Sequence, residues 1–437
     1  MKRAGRILVS AVCALMLLIS WVFAVNAKTN AAKQKILMNQ AEELMSKGIY
    51  VHAAPLLEQA AGYKAAHTPE AEAKLKEAYL KLIGNKGVEA LYLGLLEKQM
   101  SRKEVLPGVY TEAANYYISK SRIPEALSVL RAGIKKTGSD ELVSLYESNR
   151  YVYSVNRTSY DDVTAISGST IQVKKDGSWG IARSDGSPLI PCQYEKISTF
   201  SIDRAIVREN GKTFAVDINN NRIALLEEYA YDFGNFADNR IPVLIGGSWL
   251  RSTGEFALGT LDFEQMGMYS GGYAAAKTEG RWGVIGLSSQ WLVRAEYDEI
   301  IRDELGRCYG QGAVFVRSGK SVWLFSQGET VGSAFEDARP FSAEGFAAVK
   351  RNGKWGFIDN EGELRINFIY DDALSFGQHL AAVRLDGLWG YISIEGSIVI
   401  EAAFLEAKSF AKGSAPVRTE RGWQFITLLE YKKEVSL

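Results

Sequence analysis

Asn352-Gly353-Lys354-Trp355-Gly356-Phe357-Ile358-Asp359 is the stretch on which the fold turns. It recurs as Asp386-Gly387-Leu388-Trp389-Gly390-Tyr391-Ile392 and as Arg421-Gly422-Trp423-Gln424-Phe425-Ile426, so Trp355, Trp389 and Trp423 stand 34 residues apart. Earlier copies carry Trp179-Gly180 and Trp282-Gly283, and weaker ones fall at Thr213, Trp249 and Ser321. Each copy reads as a strand, followed by a turn such as Asn360-Glu361-Gly362 and a second apolar strand. An aromatic-acid step comes next (Tyr370-Asp371-Asp372, Tyr297-Asp298-Glu299, Phe335-Glu336-Asp337, Tyr194-Glu195), then a Phe and a short alternating strand such as Ala381-Ala382-Val383. Four short strands in one repeat predict a small antiparallel sheet that is stable only against its neighbours.

The ends of the array are complementary. Tyr160-Asp161-Asp162 opens it with the second half of a unit, and the segment 419–428 closes it with a first half. Pairing the two halves would remove the exposed sheet edges of an open array. The expectation is therefore a propeller-like toroid of about eight units over 151–437; an open β-solenoid is the alternative. The ordered recurrence of Gly-x-Trp-Gly, Tyr-Asp and Phe resembles the WG β-repeat family, found in bacterial exported and surface proteins, and covers about two-thirds of the chain. The resemblance implies a repeat architecture and no particular activity.

Upstream, 28–150 is helical in pattern, with apolar residues three and four apart. Ala54, Ala90 and Ala126 are 36 apart, Leu44, Leu80 and Tyr116 stand ten residues before them, and Leu57, Leu93 and Val129 three after. Polar breaks at Lys47-Gly48-Ile49-Tyr50, Gly84-Asn85-Lys86-Gly87 and Ser119-Lys120-Ser121-Arg122 divide helix from helix. This arrangement resembles tetratricopeptide repeats, which implies a concave surface for peptides; a plain helical spacer satisfies the same pattern.

At the N-terminus Lys2, Arg3 and Arg6 precede the uncharged run Ile7 to Val25. Positive charge before an apolar run places the downstream chain outside the cytoplasm. Residues 1–27 read either as an anchor crossing the membrane once or as a signal cleaved near Ala27. The C-terminus carries no wall-sorting motif. Cys13 lies in the apolar run, and Cys192 and Cys308 are expected as buried free thiols.

Formal net charge is zero, which argues against a nucleic-acid surface. His52, His67 and His379 are widely separated and no Cys–His spacing suits a metal, so neither metal nor cofactor is expected. Paired carboxylates suggest a glycosidase by type, but an acid at one place in every unit is expected to bind backbone N–H groups in a turn. Trp179, Gly180, Trp249, Trp282, Gly283, Trp355, Gly356, Trp389, Gly390, Trp423, Tyr370 and Asp371 are accordingly read as structural signature residues, and no residue as catalytic. Three functions remain in view. The first is a non-catalytic scaffold for protein partners. The second is a lectin-like module using the side chains of Trp291, Trp323 and Tyr309, which lie off the repeat pattern. The third is a hydrolase with its site in the irregular stretch 251–275.

Overall fold

The computed structural model describes residues 25–225, 232–253 and 258–431. The apolar run, apart from Val25, and Cys13 lie outside the described residues. Among the described residues no helix is long and apolar enough to cross a membrane. The chain divides into two compact units, one ending at Glu147 and the other beginning at Ser148.

The first unit contains seven described helices: α1 (25–46), α2 (Tyr50–Gly62), α3 (Thr68–Leu82), α4 (Val88–Met100), α5 (Pro107–Ser119), α6 (Ile123–Thr137) and α7 (Asp140–Glu147). Prolines at the start of α3, α5 and α6 supply a preset φ where no N–H is needed. Small and aromatic side chains share the core: Ala53, Leu57, Ala78, Tyr79, Tyr92 and Leu96 are all buried. The middle repeat departs from the expected spacing. Leu80 is 45% exposed and Ala90 is exposed, while Tyr79 and Tyr92 take the inward positions. For Ala90 and Tyr92 the connection 83–87 matters: it is two residues longer than 47–49 or 120–122, and the inward position on α4 is displaced by the same two residues. One carboxylate is fully buried here: Glu72 accepts from Gln99 Nε2 at 2.9 Å and from Arg102 at 2.6 Å. A buried charge without such donors would be strongly destabilising.

The second unit is a closed ring of eight four-stranded antiparallel sheets. Its blades run Asp162–Tyr194, Lys196–Leu225, Asp232–Phe263, Gln265–Tyr297, Glu299–Phe335, Asp337–Tyr370, Asp372–Phe404 and Glu406–Leu428, numbered 1 to 8 in that order. The eighth is completed by Tyr153–Val155 from the start of the unit, pairing Tyr153 with Leu428 and Val155 with Ile426. Tyr160 and Trp423 also exchange backbone hydrogen bonds at 2.9 Å. The ring is thus a toroid and not an open solenoid, and no blade is left with a free closing edge.

The Trp-Gly pair has a physical reason. Trp389 faces Phe404 and Tyr391 faces Ile400, so two residues of the third strand span four of the outer one. The surplus residues bulge inward, and a Cβ on Gly390 would stand 2.6 Å from Ile400 O. Gly180, Gly283 and Gly356 occupy equally closed positions. Trp282, Trp355, Trp389 and Trp423 are buried, while Trp179 and Trp249 are half-buried. Thr213 fills the Trp position of blade 2. In blade 5 the expected Ser321 is off by one: Val322 pairs with Arg317 as Trp389 pairs with Arg384.

The repeated acids are turn caps. Glu195 accepts from Gly211 N, Glu264 from Gly280 N, Asp298 from Gly319 N and Glu336 from Gly353 N, all within 3.2 Å. At Asp337 the second acid of the step joins neighbouring blades, where Arg317 bridges Glu299 of blade 5 and Asp337 of blade 6 at 2.8 and 3.0 Å. Asp371 pairs with Lys354 at 2.6 Å, and that hydrogen bond holds its carboxyl below the usual range. Tyr370 is buried in the core of blade 6.

Candidate functional site

The first strand of every blade is only two residues long, and the chain then turns towards the ring's channel before starting the second strand. These corners interlock. Ser409 Oγ donates to Ser375 O at 2.7 Å, and Ser375 Oγ donates to Pro340 O at 2.6 Å, linking blades 8, 7 and 6. Thr199 and Phe236 do the same for blades 2 and 3 at 2.8 Å.

Blade 5 breaks the symmetry. Its corner, 301–312, holds twelve residues where the others hold six or seven. The extra segment is a self-braced loop: Asp303 accepts from Leu305 N at 3.0 Å, from Arg307 N at 2.9 Å and from the Arg307 guanidinium at 2.5 Å. It reaches across the channel, because Leu305 O accepts from Asn235 of blade 3 at 3.1 Å and Glu304 pairs with Lys408 of blade 8. Gly306 O accepts from Met268 N of blade 4 at 3.1 Å. Beside this loop lies a cavity of about 700 Å³, the size of a ligand site. Corners of blades 1, 4, 5, 6, 7 and 8 line it.

Its electrostatics are mixed. Arg302, Arg307, Arg339 and Lys408 face Asp303 and Glu304 in the lining. Burial raises the Glu304 carboxyl above its ordinary value, against the pull of Lys408, although its side chain stays 35% exposed. Burial holds Arg302 below its ordinary value, opposed by Glu299. The Arg302 guanidinium stacks 4.0 Å from the Trp282 ring centroid. Among the described residues it has no ion pair. Arg339, by contrast, pairs with Asp337 and Asp372 at 3.6 and 3.5 Å and covers Trp355.

None of the three suggested ligand contacts lies off the pattern. Tyr309 is the Phe-equivalent of blade 5, since Gly310 bridges to Ala313 as Gly377 does to Leu380; the long corner hid this from the count. It lines the cavity and packs on Tyr273, centroids 4.4 Å apart. Trp323 occupies the Gly position of blade 5 and packs half-buried against the core. Trp291 begins the outer strand of blade 4, where it pairs with Ile285 as Leu364 pairs with Ile358; it is 37% exposed, with its ring edge-to-face on Phe263 at 6.2 Å. Tyr309 and Trp323 pack against one core cluster, to which Trp291 does not belong. In the irregular stretch, 254–257 lie outside the described residues, and the carboxylate of Glu264 is engaged by Gly280 N and Lys277. Sequence reasoning missed Arg302, Glu304 and Lys408, which assemble only when corners far apart in the chain meet. Among the described residues no grouping of His, Cys, Asp and Glu could hold a metal. Cys192 and Cys308 are free, and burial pushes the Cys308 thiol up to about 12.

The profile of the WG containing repeat matches residues 179–212, 333–355, 355–389 and 389–423. The chain matches no curated protein in sequence. Similar solved structures include Hsv2p of Kluyveromyces lactis at 12% identity, covering 61% of this chain and 96% of that one with a TM-score of 0.37. The Pan2 WD40 domain of Neurospora crassa is 7% identical over 61% of this chain and 88% of that one, TM-score 0.35. The Cps50 (Swd1) β-propeller domain of Myceliophteria thermophila is 8% identical over 63% and 99%, TM-score 0.33. The matched stretches fall in blades 1 and 2 and in blades 5 to 8, so the second unit of this chain, closed at its eighth sheet, is a β-propeller that carries WG containing repeats at these places.

Proposed function

We propose that this chain is an exported or membrane-anchored protein of the cell envelope that acts as a non-catalytic scaffold, holding protein partners at the mouth of its propeller channel. The observation that carries the reading is the corner of blade 5. Around a ring of short, interlocked corners, one twelve-residue segment builds a charged concavity 700 Å³ in volume. The carboxylates repeated around the ring are committed to turn N–H groups and inter-blade ion pairs, which is the work of a frame. Lys2, Arg3 and Arg6 before the apolar run support export, with Ile7 to Val25 as anchor or as a signal released near Ala27. The helical repeats offer a second surface for peptides, or hold the propeller clear of the membrane.

The test is site-specific photo-cross-linking in the native cell. A cross-linker at Gln311, beside the channel mouth, is expected to give discrete protein adducts, and one at Ile398, on an outer strand, is not. Protease added outside the cytoplasmic membrane should digest the chain. Absence of adducts at Gln311, or full protection from the protease, would remove the reading. Glycan binding is a second reading that rests on the exposure of Trp291; co-sedimentation with wall sacculi that is lost in Trp291→Ala would favour it.

A further inference from the structure

Arg302 is held where an unsatisfied cation is least comfortable. Its guanidinium is fixed over the Trp282 ring at 4.0 Å, it lines the cavity, and no carboxylate among the described residues pairs with it. Its nearest acid along the chain, Asp303, is saturated by Leu305 N, Arg307 N and the Arg307 side chain. Glu299 accepts from Arg317, and Glu304 is taken by Lys408. Arginine cannot shed its proton to escape burial, and a cation over an indole recovers only part of what water supplied. Glu299 acts on Arg302 by charge alone, so an anion entering the cavity would find the guanidinium's hydrogen-bond donors open.

The cavity also says which kind of anion. Ser342, 8% exposed, lines it with a hydroxyl that has no partner among the described residues, a donor awaiting an acceptor. Asp303 and Glu304 stand in the same lining, so a doubly charged phosphate meets two like charges where a carboxylate brings only one of its own. The planar fork of a guanidinium matches a carboxylate through two parallel hydrogen bonds. Ile166, Phe341 and Phe376 form an apolar wall beside it, suited to the flanking side chains of a peptide.

We propose that the channel-mouth cavity binds a short acidic segment of a partner protein, one Asp or Glu flanked by apolar residues, with Arg302 as the carboxylate anchor and Ser342 as a supporting donor. The inference rests on the scaffold reading and names the partner's chemistry. To test it, the full-length chain in mild detergent is presented to an array of short peptides, each carrying one Asp or Glu between Leu or Phe residues and each beside its Asn or Gln counterpart. Acidic peptides should bind roughly tenfold or more above their amide counterparts. Arg302→Gln should erase that preference, and Arg302→Lys, which keeps charge without the fork, should restore only part of it. An unchanged denaturation midpoint in Arg302→Gln separates loss of the anchor from loss of the fold. Acid preference that survives Arg302→Gln overturns the proposal, and so does stronger displacement by inorganic phosphate than by the peptides. If the photo-adducts at Gln311 persist in Arg302→Gln cells, the anchor fails and the scaffold stands; if the parent gives none, both fail.

Discussion

Blades 7 and 5 solve one geometric problem in opposite ways. Both match two residues of the third strand against four of the outer one: Trp389 and Tyr391 against Phe404 and Ile400, Val322 and Leu324 against Phe335 and Val331. In blade 7 the surplus backbone presses into space that Gly390 leaves empty. In blade 5 that position carries Trp323, and the glycine has moved across the ladder to Gly332, whose φ of 72° lets the outer strand bulge away. The room that Gly390 gives in blade 7 is thus found on the outer strand in blade 5. A blade free to relocate its glycine is also the one that carries the long corner and the cavity.

Three experiments can break or sharpen this comparison. The largest effect is expected at the Trp position. Trp355→Ala should cost about 3–5 kcal/mol in chemical denaturation, whereas Val322→Ala should cost about 2 kcal/mol or less, because fewer buried atoms are removed. Equal costs would mean that blade 5 is packed like the others. Next come the glycines. Gly390→Ala drives a Cβ against Ile400 O and should cost about 3 kcal/mol, while Gly332→Ala meets open space and should cost only the left-handed backbone, about 1–2 kcal/mol. The reverse order would refute the exchange of glycine across the ladder. The smallest effect is a turn cap. Asp359, in blade 6, accepts from Glu361 N, Glu363 N and Arg365 at 3.1, 2.9 and 2.6 Å, while Ser326 holds the matching place in blade 5. Burial alone would raise its carboxyl, but the hydrogen bonds from Glu363 N–H and Arg365 hold it below the ordinary value. Asp359→Ala should cost about 1 kcal/mol at neutral pH. Because the native carboxyl is depressed, that difference should be present above about pH 4 and fade as pH falls through the native value. A difference that grew on acidification would contradict the assigned role.

The ring was readable because its signals are local. Trp389, Gly390 and the acids after each outer strand sit at fixed offsets, and Tyr160 is separated from Val173 by the same interval as Tyr370 from Val383, which exposed the complementary half-units. Counting failed where a loop changed length. Six extra residues between Ile300 and Ala313 hid the kinship of Tyr309 with Phe376, a slip of one put Ser321 where Val322 belongs, and the longer connection before α4 put Ala90 where Tyr92 packs. The cavity was not readable in principle from spacing. Arg302 and Lys408 belong to different blades, and nothing near either residue in the chain records that they share a wall.

The eighth sheet also sets an order in time. Each of the first seven sheets joins strands that are neighbours in the chain and can form while later segments are still unstructured. The pairing of Tyr153–Val155 with 426–428 cannot, because it waits for every blade between to take its place. Folding of the propeller thus ends on its most distant contact, and until then a nearly finished arc shows bare backbone at both ends. Once joined, the first and last strands of the unit hold each other, so each end of the array is tied down by the most distant part of the chain.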